Sequence, residues 1–465
     1  MPNTRTRISF IILSLLLCAG CAIVPSSTAV PPTALPPTVV SAIPPTALPP
    51  TAVSTILPTA VPTAIPPTAV PTAIPPTAVP TAVPTGIPPS ATAQPANESE
   101  ILFLRGGDLM AYGTHTRTTH TLAKGVHAFA ATPDGLLLAM VIGSGRSGEI
   151  WVSRRDGSAA RQLTRNEQAE GDLSWAPDGS ALAYSSVDSD NPRAATWEGW
   201  SRWCAVSKVR VIELGDGHER TLASGCDPAF APDGKRIAFA TPPTSPSAEQ
   251  RFLSAQNAVR LVNRQGENGW NFASANNEAR AQGYLVYAPT WAPSGDQVAY
   301  QRFLGYRSLV DINITEIGAA FKGEGKPLIS GAGWMLPVRF RPDGEQAAVL
   351  EHNVGDARGG SGYEVWRLSV VRLGVAGSMF LPDGEVPTVG SIAWQSSRVT
   401  AAAWSPDGTS LALALPAEWS HTTPAQDLVY QTEGAGEVWR WSSDGAPQER
   451  LIEHTDYASP LLWLP

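Results

Sequence analysis

The sequence predicts an all-β fold assembled from repeated four-stranded units. Three observations carry this. A short motif, an aromatic residue, a spacer, Pro-Asp-Gly and an apolar strand, recurs through residues 129–415. The spacing between copies never falls below 44 residues. Strand-like segments without a complete motif stand at both ends of the region.

The copies are FAATPDGLLLAMV (Phe129–Val141), WAPDGSALAYSS (Trp175–Ser186), FAPDGKRIAFAT (Phe230–Thr241), WAPSGDQVAYQR (Trp291–Arg302), FRPDGEQAAVLE (Phe340–Glu351) and WSPDGTSLALAL (Trp404–Leu415). Their Asp-equivalent positions are 134, 178, 233, 294, 343 and 407, with gaps of 44, 55, 61, 49 and 64 residues. Proline presets φ, Asp bonds its own backbone, and Gly supplies φ > 0, so each motif reads as a tight turn. Apolar residues on both sides make it a β-hairpin. A floor near 44 leaves room for four strands, A to D, with loop insertions accounting for the longer gaps. Another Pro-Asp-Gly at residues 382–384 has Pro387 where strand B would run, so it is not read as a repeat.

These copies resemble the repeats of TolB-like β-propellers, relatives of the WD-repeat propellers. The first copy has Ala131 in place of the aromatic, and the fourth has Ser294 in place of Asp. The resemblance implies sheets arranged radially around a channel. Residues 101–123 then read as strands B, C and D without an A, and 459–465 as an A without a B. Trp463 stands two residues before Pro465, as Trp404 does before Pro406. Pairing the two ends gives a seven-bladed β-propeller, which protects sheet edges; six blades is the alternative.

The N-terminus reads as an address. Arg5 and Arg7 precede an apolar run, Ile8 to Leu17, and then Ala19, Gly20 and Cys21. That is a secretory signal layout. Its ending resembles the lipobox of bacterial lipoproteins, which implies a signal peptide over 1–20 and acylation of Cys21. An uncleaved anchor is the alternative. Residues 21–98 follow as a disordered Pro/Thr/Ala-rich linker. Of 43 prolines, 21 lie between positions 25 and 95, where no charged or aromatic residue occurs. Such a stretch forms no ladder and buries no core, so it predicts an extended stalk. The propeller domain is assigned to 99–465. The formal charge of −8 argues against nucleic acid as a partner.

Propeller geometry places the B–C and D–A loops on one face. The largest insertions, 187–207, 242–257, 353–362 and 416–434, fall between B and C. The first carries Trp197, Trp200 and Trp203, which serve either as stacking surfaces for a ligand or as the loop's own packing. Trp270, placed in a D-to-A connection, and Trp419 with His421 are weaker candidates of the same kind. Asp172 and Asp227 occupy matching positions before strand A, near the channel mouth. They either bind a cation or ligand ammonium there or cap turns. Cys204 and Cys226 lie in loops of one face, and a secreted context predicts their disulfide.

The sequence carries no zinc-ligand spacing, no Gly-x-Ser-x-Gly elbow and no phosphate loop. No metal and no cofactor are expected. The leading expectation is therefore a monomeric, lipid-anchored, non-catalytic scaffold outside the cytoplasm. It would bind an envelope or extracellular protein or glycan through its insertion face. The alternative is a hydrolase of glycans or small molecules with its site at the channel mouth.

Overall fold

The computed structural model describes residues 98–465 apart from 190–196, 244–256, 275–284, 304–309, 317–324, 332, 357–361, 382–383 and 418–434. Cys21, the signal segment, almost all of the stalk, Trp419 and His421 lie outside the described residues. Within them the strands form seven antiparallel sheets. Sheet I holds Val126–Ala131, Leu137–Ile142, Glu149–Arg154 and Arg161–Gln162. Sheet II holds Ala169–Trp175, Ala181–Val187, Lys208–Glu213 and Glu219–Ser224. Sheet III holds Cys226–Phe230, Arg236–Ala240, Ala258–Asn263 and Trp270–Ser274. Sheet IV holds Leu285–Trp291, Gln297–Phe303, Val310–Glu316 and Lys326–Gly331. In sheet V the first strand is split into Trp334–Met335 and Arg339–Phe340, followed by Gln346–Asp356, Gly362–Leu381 and Gly384–Ser397. Sheet VI holds Ala401–Trp404, Ser410–Pro416, Ala435–Ser442 and Pro447–Asp456. Sheet VII joins the ends of the folded region: Leu462–Leu464 supplies strand A, and Glu100–Arg105, Asp108–Gly113 and Thr119–Ala123 supply B, C and D.

The repeat motif makes the A–B turn in each of the first six sheets. In sheet II, Gly179 N donates to Ala176 O at 2.9 Å, and Ser180 N donates to Asp178 Oδ1 at 3.0 Å. The same pair of bonds recurs around Asp134, Asp233, Asp343 and Asp407. Gly179 has φ +68°, which only glycine adopts without strain. The motif tryptophans reach to the preceding sheet's innermost strand. Trp175 Nε1 donates to Ala130 O, Trp291 Nε1 to Ala229 O and Trp404 Nε1 to Arg339 O, at 3.3, 3.0 and 2.8 Å. An indole with a donor at its tip supplies both apolar burial and a fixed tie between sheets.

Alternating residues of each strand face the neighbouring sheets, and an apolar cluster fills each gap. Val141, Ile150 and Val152 of sheet I meet Leu182 and Tyr184 of sheet II. Equivalent clusters join II to III, III to IV, IV to V, V to VI and VI to VII. The last, with Leu102, Leu109 and Leu464 against Leu138 and Met140, joins VII back to I. The Pro-Asp-Gly at 382–384 lies between strands C and D of sheet V, which pair through Leu381↔Gly384. Gly384 opens strand D, so this copy does not join an A strand to a B strand.

The described residues include one helix of ten residues, α1, Trp197–Val206. It sits in the B–C insertion of sheet II. No helix among the described residues is long and apolar enough to cross a membrane.

Candidate functional site

The innermost strands surround a cavity of about 630 Å³. Its lining comes from strand A and the A–B turns of successive sheets. Asp172, Asp227 and Ala288 stand three residues before Trp175, Phe230 and Trp291, with φ of 52°, 53° and 48°. Each coincides with a break in the A–B register, a β-bulge that turns the strand end toward the axis. All three line the cavity, together with Pro228, Pro289 and Pro337.

The structure brings Asp172 and Asp227 to one channel but gives Asp227 a structural task. Its Oδ2 accepts from Trp200 Nε1 and from Ala288 N, each at 2.9 Å. Asp227 is buried. A carboxylate that receives two donors from two other elements fixes those elements to its own strand. Asp227 is thus a linchpin, which favours the structural alternative over the ligand-binding one.

In the Trp-rich segment the packing alternative holds for Trp200 and Trp203. Trp200 is fully buried and Trp203 is buried, so neither presents a stacking surface. The segment is a helix, and residues 200, 203 and 204 fall on one face of it. That face seats on sheets III to V. Trp200 lies 5.4 Å from Tyr287 between ring centroids, and Tyr287 stacks on Trp334 at 4.5 Å. The backbone of Trp197 opens α1, and its side chain lies outside the described atoms. A disulfide joins Cys204 to Cys226, with the Cα atoms 5.2 Å apart. It ties the helix to the first residue of sheet III.

Trp270 occupies a different place from the one expected. It begins strand D of sheet III, paired with Leu261, at the C–D end of the sheet. Its ring packs edge-on to Phe272 at 6.0 Å, and 36% of its surface is exposed. The loop-rich face therefore does not include Trp270.

Two charged groups went unremarked in the sequence. Glu170, in strand A of sheet II, is buried at the junction with sheet I. Its carboxylate accepts from Thr164 Oγ1 at 2.7 Å, Asn166 Nδ2 at 2.9 Å and Ile150 N at 3.1 Å. Burial outweighs these bonds and pushes its pKa up to about 7. Arg339, in strand A of sheet V, lines the cavity. Enclosure by protein pulls its pKa down, while its side chain remains open to the water of the channel. Aligning the copies would have revealed it. The residue before the motif aromatic is Ala130, Ser174, Ala229, Thr290, Ala403 and Leu462 elsewhere, and Arg only at 339.

Sheets packed face to face on two neighbours each, with the first strands of sheets II to V on one cavity, define the architecture. The chain is a β-propeller. No family model matches it, and no curated protein does. Among solved structures this propeller is similar to TolB from Acinetobacter baumannii, at 13% identity and a TM-score of 0.37, covering 78% of this chain and 81% of that one. It is similar to oligogalacturonate lyase in complex with manganese, at 13% identity and a TM-score of 0.44, covering 66% and 79%. It is also similar to the Cps50 (Swd1) β-propeller domain of Myceliophteria thermophila, at 13% identity and 0.42, covering 70% and 86%. At these identities the likeness concerns the fold alone.

Proposed function

We propose that this β-propeller is an extracytoplasmic, lipid-anchored binding scaffold without catalytic activity, built of seven blades, one per sheet. The observation that carries the binding reading is the way the polar groups of the channel mouth are spent. Asp227 is committed to Trp200 and Ala288, and the adjacent disulfide locks α1 beside it. The result is a concave, preorganised surface, and preorganisation lowers the cost of binding. The disulfide agrees with an oxidising compartment, and the Ala-Gly-Cys layout before the stalk supports a lipid anchor at Cys21. An envelope or extracellular protein or glycan is the partner class.

Two measurements test this. The chain is incubated with defined oligosaccharide and peptide mixtures, and the contents are followed by mass spectrometry. Intact ligand recovered with the protein supports a scaffold. Catalytic release of fragments would make the hydrolase reading correct. For the anchor, the chain is expressed in bacteria fed labelled palmitate. Label and membrane association should both vanish in Cys21→Ser; membrane association without label would identify an uncleaved anchor.

A further inference from the structure

We propose that the channel holds a small monocarboxylate with an apolar body, its carboxylate gripped by the guanidinium of Arg339. This builds on the binding reading above, since it needs a ligand held and not consumed.

Three observations converge on it. First, among the described residues nothing forms a hydrogen bond or ion pair with the Arg339 guanidinium. Its backbone is occupied, with Arg339 O accepting from Trp404 Nε1 at 2.8 Å and its strand paired to Ala348. Arg341, two residues on, shows the ordinary arrangement: its guanidinium is bonded to Asp343 and Glu345. Arg339 is exposed on the cavity wall, so its guanidinium can offer an entering anion a charge-assisted, bidentate bond. Guanidinium geometry matches the two oxygens of a carboxylate.

Second, the ring position that Arg339 occupies is small in the neighbouring sheets that line the cavity. Ser174, Ala229 and Thr290 line the same cavity at equivalent places. Their short side chains leave the space that the arginine reaches into. The cavity, at about 630 Å³, has the size of small-molecule pockets.

Third, the remaining walls select the ligand's charge and body. Prolines of the A–B turns and of the strand starts, with Trp175 and Trp291, give an apolar lining. Asp172 and Asp227 border the same space. Their charge opposes a dianion such as a phosphate monoester more than a carboxylate of single charge. An apolar body suits the proline and indole walls.

The test uses the purified full chain and three fluorinated probes of one shape, followed by ¹⁹F NMR: 4-fluorobenzoate, 4-fluorophenyl phosphate and 4-fluorobenzamide. Wild-type protein should broaden and shift the benzoate signal most. Arg339→Ala should weaken that binding by roughly tenfold or more. Alanine already occupies this ring position at 130, 229 and 403, so the variant should keep its near-ultraviolet circular dichroism. Arg339→Lys should retain part of the affinity, since it keeps the charge but not the fork.

Binding that survives Arg339→Ala, no benzoate binding at all, or equal binding of the neutral amide would overturn the site. Tighter binding of the phosphate would overturn the monocarboxylate assignment. New ¹⁹F signals from chemical conversion would instead end the scaffold reading and leave the anion site standing, so the two failures are separable.

Discussion

The seam between the chain's ends and the crossing made by α1 solve one problem by opposite chemistry. Each must fix a short element against the ring. At the seam, strand A of sheet VII pairs with strand B at only three positions, Glu100↔Leu464, Ile101↔Trp463 and Leu102↔Leu462. Polar side chains reinforce it. Ser99 Oγ donates to Leu464 O and receives Trp463 Nε1, both at 2.8 Å. Arg155, from sheet I, donates to buried Glu100 at 2.6 Å and also to the carbonyl oxygens of Glu98 and Pro465. One guanidinium therefore holds both terminal strands. At α1 the work is done by buried aromatic surface and a covalent bond. The difference follows from what each element brings. A short strand brings unpaired backbone groups that charged donors satisfy. A helix of ten residues satisfies much of its own backbone but is marginal alone, so it needs burial.

The largest effect should come from removing that burial. Trp200→Ala empties a fully buried indole site and strips Asp227 of a donor. The expected loss is roughly 4 kcal/mol in urea unfolding. A loss near 1 kcal/mol would mean that α1 is an appendage and that the contrast with the seam is false.

Next comes the covalent bond. Breaking Cys204–Cys226 by a double serine substitution should cost about 3 kcal/mol on the chain-entropy account, given a separation of 22 residues. Limited proteolysis should then cut near α1 before the sheets. Cleavage that starts at the seam instead would show that the seam is the weaker joint.

The same contrast explains what could be read from the sequence. The turns, the strand order and the end-to-end pairing rest on local rules: Pro-Asp-Gly for the turn, alternation for the strand, Trp463 before Pro465 for the missing strand. Pro465 packs on Gly135 as Pro177 does on Gly234, so the proline after strand A keeps the place it has in the other copies. The site was less legible. Trp197, Trp200 and Trp203 repeat every three residues, and Cys204 follows four after Trp200. That is helical periodicity, which points to a packed face and not to an open loop. Asp227's partners, Trp200 and Ala288, lie 27 and 61 residues away, and no local pattern announces them. Arg339 was visible only as an exception among aligned copies.

At the seam, Arg155→Ala leaves buried Glu100 without its guanidinium and two carbonyls without a donor. Arg155 is one-fifth exposed, at 21%, which moderates the cost to about 2 kcal/mol. Thermal unfolding should show the loss, and hydrogen exchange should quicken first in residues 100–105 and 462–464. Exchange that quickens evenly around the ring would contradict the latch.

Sheet I borders the seam on one side and sheet II on the other, and its junction with sheet II should respond to pH. On the seam side Arg155 pairs with Glu100. On the side of sheet II the buried carboxyl is Glu170, with Thr164, Asn166 and the Ile150 amide as donors and Glu149 nearby as a like charge. Burial raises Glu170 from 4.5 to about 7. Between those values the folded chain keeps a proton that the unfolded chain has released. Folding is therefore favoured below about pH 4.5, and that contribution is lost as pH rises through about 7, with a slope approaching about 1.4 kcal/mol per pH unit. Glu170→Gln imitates the protonated carboxyl and does not titrate. Its melting temperature relative to the wild type should climb from pH 5 to 7 and then level. Carboxylates held low, such as Asp178 and Asp407, act with the opposite sign and in more acid solution, outside this window. Parallel melting curves across pH 5 to 7 would show that this junction is no more pH-sensitive than the seam, because Glu170 would then be ionised in both states.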